Sequence, residues 1–561
     1  VGEDQALREI TEALKQRGFS RDWRFPGRRV WRGAIRVADH ELSATIEVPD
    51  LSLVDIPIVT IDTAPLPGNL FLPHIIRGGV CYLDRSSAIL DRYRPGGSVL
   101  FCLDRATITA RDAAAGKLDD DVAAEFGAYW SAASDYVDLP PDFPGGQAMV
   151  FWLALNPRRP ARRVSYITVS KTIPEAFLIA HQRIAGNAAP KSESCTVIRI
   201  DAHLGKTKLG ASLPRTLREL EAWLNGHGVD AQATLKAVIT APSNQKALVI
   251  KAANGCFVGE IVIPKAYRKP EFENRRHVLD GILKRVEPSP RFLRFTASRV
   301  DSEFIFGRNL HKMKGLAGKR IALTGVGTIG GYLAHALAQS GAGADDGRLD
   351  LFDTDILKTA NLGRHLLGVP YLGASKARGA QSYIKEQIPH VRVEAHAENA
   401  LDHIRELLKF DLVIDSTGEE AFSIALNQIF IDNRPKSPAL LLAWLLGNGA
   451  AAQGLMCCEP GFACYKCLKP ELDGPPRFRV LRDTEDTETV RNLACGDSTY
   501  VPFPVSRSLQ AAAQALDMAL DWANDHPRPY FRSEVLDRKR AIHAEPANPS
   551  ALKSCPACNR A

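Results

Sequence analysis

The segment VGEDQALREITEALK sets Ala6, Ile10 and Leu14 at helical spacing among charged residues, which predicts an amphipathic helix. Three runs with strand character follow: RVWRGAIRVA, ELSATIEVP and PIVTID. A Pro/Gly-rich passage, APLPGNLFLPHIIRGGVCYLD, leads to two helix-like stretches, SSAILDRY and DDVAAEFGAYWSAASDY. The turn-forming DLPPDFPGG marks a boundary, so residues 1–146 predict an α+β domain. Residues 147–304 alternate strand candidates (ARRVSYITVS, CTVIRI, KALVIKAA, FVGEIVIP) with the helix PRTLRELEAWLNGHG. They predict an α/β linker domain, structural or docking in role, with no motif that demands chemistry. From residue 305 to 561 buried strands alternate with helices. KRIALTGVGTIGGYLAHALAQSG is strand, turn and helix, and RLDLFDTD, VRVEAHAE, FDLVIDSTG and ALLLAWL continue the strands. That alternation predicts a doubly wound, Rossmann-like α/β domain.

Composition narrows the function classes. At about 150 residues per domain, a chain of 561 holds three or four. Lys and Arg total 71 against 64 Asp and Glu, an excess too mild for a nucleic-acid footprint. The apolar run Ala439 to Leu446 is far short of the roughly 20 residues of a membrane span. The charged opening segment has no signal-peptide core, so a cytoplasmic protein is expected. Eleven cysteines in such a chain do not read as a disulfide framework.

Chemistry concentrates in the last domain. Gly325, Gly327 and Gly330 form GxGxxG directly after the strand IALT, a turn that brings phosphate to the N–H groups of a helix start. Asp353 lies 23 residues beyond Gly330 at the end of the next strand and suits a ribose hydroxyl. A dehydrogenase would share all of this. Asp355, Asn361, Arg364, His365 and Lys376 follow closely, however, and Arg and Lys so near the ribose acid supply cations for a triphosphate. Cys464/Cys467 and Cys555/Cys558 are Cys-x-x-Cys pairs with 87 residues between them. Two such pairs supply four soft ligands for tetrahedral zinc, read as structural. A redox role fits less well, because there are two pairs and no thioredoxin-like context.

These motifs resemble the ubiquitin-activating enzyme superfamily, which includes the bacterial adenylyltransferases of sulfur-carrier proteins. The resemblance covers residues 305–561. It implies ATP and Mg²⁺, with Asp353 on the ribose and Asn361, Arg364 and Lys376 on phosphates. Arg308 matches an arginine given to a partner subunit's ATP site, which implies a homodimer. Two positions depart from the family: His365 stands where Gln is usual, and Gly418 where a magnesium-holding Asp is usual, leaving Asp415 or Glu419 to supply that carboxylate. The double zinc knuckle also belongs to the family. Cys495, followed by a Pro-containing turn and Ser508-Leu509-Gln510-Ala511, matches the thiol that accepts the activated carboxyl group, with Cys457 and Cys458 as alternatives.

The frame G-x-V-C-x-L-D around Cys81, after strands and a Pro-rich passage, resembles ubiquitin-conjugating enzymes over residues 1–145. Leu72-Pro73-His74 stands where His-Pro-Asn is usual, so His74 is a candidate oxyanion donor or loop-orienting group. The order of conjugating, linker and activating domains resembles the fusion proteins of bacterial CBASS anti-phage operons. There the acyl donor would be the C-terminus of a cGAS/DncV-like nucleotidyltransferase; a dedicated ubiquitin-like protein is the other candidate. The expected reaction makes an adenylate, then a thioester on Cys495, then one on Cys81, and finally an amide on a target amine, most simply lysine. Two rivals stay open: a sulfur-carrier adenylyltransferase with a dispensable Cys81, and a Rossmann oxidoreductase.

Overall fold

The computed structural model describes residues 2–558 except 67–71, 77, 85–87, 119, 132, 159–162, 206–212, 242–245, 269–271, 273–274, 484–486 and 491–499. Contacts divide the chain into two compact units. One comprises 1–151, 164–171 and 191–298; the other comprises 152–163, 172–190 and 299–561.

The first unit holds two cores. In the N-terminal one an antiparallel sheet is built chiefly from Val30–Val37, His40–Glu47 and Ile58–Ile61. Leu42, Ala44 and Ile46 alternate inward, while Glu41 and Ser43 face solvent, the period-two pattern of a half-buried sheet. Helices Glu3–Gln16 and Pro95–Ala114 join this core through Ala6, Ile10 and Leu14 and through Val99, Cys102, Leu103, Ala106 and Ala110. Pro95 opens the second helix, where its missing N–H costs nothing. The expected helix SSAILDRY does not form among its described residues: Ala88–Tyr93 are loop and turn. Only after Pro95 do apolar residues recur at helical spacing.

The second core fills a closed barrel of seven strands. Ser192–Ile200 and Lys246–Ala252 run parallel, whereas Lys246–Ala252, Gly255–Ile261 and Phe292–Arg299 form an antiparallel meander. Closure joins strands from opposite ends of the domain, which no local pattern announces. Helix Asp121–Trp130 sends Val122, Phe126 and Trp130 into this core, and the Trp130 indole N–H donates to the Val258 carbonyl at 3.0 Å.

The second unit carries the expected doubly wound sheet. The strand order is Val393–His396, Arg348–Phe352, Arg320–Thr324, Leu412–Asp415, Ala439–Leu446, Ala451–Cys457 and Phe531–Val535. The first five run parallel, and Ala451–Cys457 pairs antiparallel with both Ala439–Leu446 and Phe531–Val535. Chain order reverses on either side of Arg320–Thr324, so the crevice at its C-terminal end is a topological switch point, where open α/β sheets bind ligands. Helices Thr328–Gln339 and Val505–Ala523 pack together beside it, and the Thr328 and Ser508 hydroxyls are hydrogen-bonded at 2.9 Å. No described helix is long and apolar enough to cross a membrane.

Candidate functional site

The Gly-rich turn lies between Arg320–Thr324 and Thr328–Gln339. Gly325 has φ +80°, and a Cβ there would come within 2.7 Å of the Thr417 backbone. A Cβ on Gly330 would lie 1.8 Å from the Gly325 carbonyl oxygen. Glycine is therefore required by the close approach of three chain segments. Gly327 is the residue at the helix N-cap, so the N–H groups of the first turn point toward the crevice.

Of the acids and cations expected around a nucleotide, Asp353, Asp355 and Lys376 gather at this turn. Asp353 accepts from the Val326 and Asp355 N–H groups, both at 2.7 Å, and ties the turn to the end of the second strand. Burial holds its carboxyl above the usual carboxylate range. Lys376, 8 % exposed, donates to Asp355 at 2.7 Å, so the cation expected on phosphate has a carboxylate counter-ion. Asn361 caps a short 3₁₀ turn by accepting from the Lys358 N–H at 2.9 Å. The Arg364 guanidinium lies 5.7 Å from the Tyr500 ring centroid and 5.4 Å from that of Phe503. Arg308 is exposed at a helix end, over its own Phe304 at 5.6 Å.

The two departures from the family pattern receive physical meaning. His365 is buried; its Nδ1 accepts from the Leu367 N–H at 3.0 Å, so Nε2 bears the proton and donates to the Val326 carbonyl at 2.8 Å. Burial keeps this imidazole below its ordinary pKa. It is a brace for the Gly-rich turn, a task a glutamine amide can also perform. Asp415, 2 % exposed, accepts on Oδ1 from the Thr417 N–H and hydroxyl at 3.0 and 2.8 Å, and on Oδ2 from the Ser423 hydroxyl at 2.5 Å. Burial raises its carboxyl. Oδ2 retains a lone pair, and Asp415 lines an adjacent cavity, so a hard cation beside phosphate is compatible with it. Gly418 and Glu419 are exposed just beyond.

The four cysteines of the two pairs converge. Their sulfurs lie within 4.8 Å of one another, with individual separations of 3.8 Å (Cys464–Cys467 and Cys464–Cys555), 3.6 Å (Cys467–Cys558) and 3.4 Å (Cys464–Cys558). These are far longer than the roughly 2.05 Å of a disulfide. Ligands on a tetrahedron with Zn–S of about 2.3 Å are about 3.8 Å apart, so the cage fits zinc. An antiparallel bridge between Phe462 and Ser550 holds the two loops together, and the Leu552 N–H donates to Cys467 Sγ at 3.4 Å.

Cys457 is buried, which raises its thiol, and Cys458 is half-buried with its thiol pushed up to about 11, so both are poor nucleophiles. Cys495 lies outside the described residues.

The Cys81 thiol is exposed, and its N–H donates to the His74 carbonyl at 2.7 Å. His74 has φ +59°, a left-handed conformation uncommon for a side chain with a Cβ. Groups from helix Asp121–Trp130 hold it there. The His74 N–H donates to the Tyr129 hydroxyl at 2.7 Å, which donates to Glu125 at 2.9 Å. The imidazole sits between Asp121 (3.1 Å from Nε2) and Glu125 (3.2 Å from Nδ1). Desolvation, then Glu125 and Asp84, raise the Cys81 thiol above its ordinary value. The sequence reading missed Asp121, Glu125 and Tyr129; the acidic run before a helix was the visible signal, but nothing in it pointed to Cys81.

The families and relatives that the chain matches mark an enzyme of the ubiquitin-activating and ubiquitin-conjugating type. Residues 304–556 match the ThiF family and residues 6–137 match prokaryotic E2 family B, both in one chain. The chain is 27% identical to the ATP-dependent ubiquitin transferase-like protein Cap2 of Pseudomonas aeruginosa, over 99% of each. It is 26% identical to the protein of the same name from Escherichia coli, over 87% of this chain and 86% of that one. With the Vibrio cholerae protein of that name it shares 27% identity, over 79% of this chain and 77% of the other.

Proposed function

We propose that the chain uses ATP to activate the C-terminal carboxylate of a protein and passes the acyl group through two cysteines to an amine, most simply a lysine side chain. The observation that carries this reading is the presence in one chain of a Gly-rich turn at a helix start, with Asp353 and the Lys376–Asp355 pair beside it, and an exposed Cys81 thiol on a loop held through His74. The donor carboxylate attacks the α-phosphorus and pyrophosphate leaves. The first-turn N–H groups, Lys376 and Arg364 offset the growing phosphate charge. Magnesium bound with the nucleotide supplies further neutralisation of that charge. Cys495 then attacks the acyl carbon and AMP leaves. Cys81 displaces the Cys495 thiol, and the acceptor amine finally displaces Cys81, losing a proton as the amide forms. His74, locked between two carboxylates, positions the Cys81 loop. Cys464, Cys467, Cys555 and Cys558 would hold zinc, which would tie the C-terminal segment to the loop of the first pair.

The order of conjugating, linker and activating domains, which resembles the fusion proteins of CBASS anti-phage operons, favours a cGAS/DncV-like nucleotidyltransferase as the donor, with a dedicated ubiquitin-like protein as the second candidate. Arg308 is free to reach a second subunit's nucleotide in a homodimer. A cytoplasmic site of action suits the reduced cysteines.

A non-reducing gel with ATP, Mg²⁺ and the donor protein tests the relay. Cys495→Ala is expected to form adenylate and no thioester; Cys81→Ala is expected to load Cys495 and make no conjugate. If Cys81→Ala conjugates as well as the unaltered chain, the sulfur-carrier reading replaces this one. Arg364→Ala should cost about 2–4 kcal/mol of transition-state stabilisation, read as pyrophosphate exchange into ATP.

A further inference from the structure

A cavity of about 400 Å³ opens beside the Gly-rich turn, between the ends of strands Leu412–Asp415 and Ala439–Leu446 and the segment 476–481. Two aromatic pairs line it. Trp444 and Tyr465 meet edge to face at 5.4 Å, and Phe478 stacks on Phe531 at 4.5 Å. Leu468 and Leu481 complete an apolar wall. Its volume falls in the range of small-ligand pockets, about 300–1,000 Å³. One end is polar and adjoins the chemistry. Asp415 lines that end, and its neighbour in the sheet is Thr324, the residue before Gly325. The lining also includes Lys466, which makes no hydrogen bond or ion pair to a side chain among the described residues.

A carboxylate that attacks an α-phosphate must reach the Gly-rich turn, and the chain behind it must leave past Asp415. We propose that this cavity recognises the tail of the acyl donor by taking a large apolar side chain, aromatic or leucine-like, a few residues before the terminal carboxylate. The proposal rests on the activation reading and adds a substrate class to it: donors with a bulky apolar residue near the C-terminus. Lys466 attracts the anionic end of such a tail toward the same opening. An apolar side chain laid against aromatic walls removes both surfaces from water, which is the favourable term for such a contact.

The test uses the full-length chain and fluorescein-labelled heptapeptides with free carboxyl ends, in which a single Phe is moved through a Ser/Gly host. Binding is read by anisotropy, and activation by ATP–pyrophosphate exchange with the same peptides. One position should bind at least about tenfold more tightly with Phe than with Ser, the gain expected from burying such a side chain. Leu481→Trp, which fills the cavity, should reduce that ratio to near one, with the melting temperature confirming a folded variant. Affinity that does not depend on where Phe stands overturns the proposal, as does a preference that survives the filled cavity. A positional preference without exchange supports the cavity and defeats the activation reading. Exchange with no positional preference does the opposite. Absence of both overturns both.

Discussion

The nucleotide crevice and the Cys81 loop solve the problem of holding reactive groups in opposite ways. At the crevice, backbone does the holding. Gly325 and Gly330 bring three chain segments into contact, and Asp353, Asp415 and His365 lock the turn through backbone N–H and carbonyl groups. At Cys81, side chains from a distant helix do it: Asp121, Glu125 and Tyr129 fix His74, whose carbonyl holds the Cys81 N–H. A backbone cradle has no tolerance for a Cβ and little dependence on pH. A side-chain clamp tolerates small changes in shape but is electrostatically tuned, because one of its carboxylates, Glu125, acts on the thiol.

This contrast explains what could be read from the sequence. The crevice is legible because its requirements are local: a turn that must be glycine stays glycine, and strand, turn and helix are contiguous. The four-cysteine cage is legible for the same reason, since each Cys-x-x-Cys pair is short-range even though the two meet only in the fold. The clamp on His74 is not legible, because its partners lie on a helix whose buried face belongs to the barrel core. The helix Pro95–Ala114 also escaped the sequence reading. Gly96, Gly97 and the β-branched Thr107, Ile108 and Thr109 dilute its helical signal, while packing against Glu3–Gln16 supplies the stability that propensity does not. Barrel closure pairs strands too far apart in sequence for periodicity to register.

The largest expected effect comes from breaking the backbone cradle. Gly330→Ala places a methyl group inside contact distance of the Gly325 carbonyl, and no side-chain rotation relieves a clash with backbone. A loss on the order of 4 kcal/mol is expected, at the top of the range for point substitutions. Thermal melts and nucleotide-binding titrations should show both falling together. A variant that melts normally and still binds ATP would show that the turn is not held as described.

Removing zinc ligands should come next. Four cysteine sulfurs converge at the spacing of a tetrahedral metal, so if a cation ties the two loops together the double variant Cys464→Ser, Cys555→Ser should lose several kcal/mol of stability. Metal analysis of the unaltered chain should give about one zinc per chain. A chelator should lower its melting temperature and leave the double variant's unmoved. Protein freshly purified without zinc would sink the metal reading.

The clamp at Cys81 should respond in reactivity more than in stability. Desolvation and the carboxylates Glu125 and Asp84 raise the thiol, so the reactive thiolate forms only at higher pH. Glu125→Gln removes one negative charge and should move the midpoint of Cys81 alkylation to lower pH. The same variant should conjugate more poorly if His74 needs both carboxylates to stay in place. An unmoved alkylation midpoint would mean that Glu125 does not act on the thiol.

The smallest effect is expected at His365, and it tests whether the backbone cradle is as indifferent to pH as its construction implies. The buried imidazole is neutral, one nitrogen accepting and the other donating, so it has no room for a second proton without losing the Leu367 bond. Burial holds its pKa below the ordinary histidine value, while the unfolded chain takes up a proton near that value. Between the two, the unfolded state binds more protons than the folded one, so stability falls as pH drops through that window and is retained above it. His365→Gln keeps a donor toward the Val326 carbonyl and removes the titrating group. The variant should change stability at neutral pH by less than about 1 kcal/mol, the worth of one hydrogen bond. Its stability should decline less steeply on the acid side of the imidazole range, read from urea melts at closely spaced pH values. A steeper decline than in the unaltered chain would show that His365 is charged in the folded protein and that the turn is braced electrostatically after all.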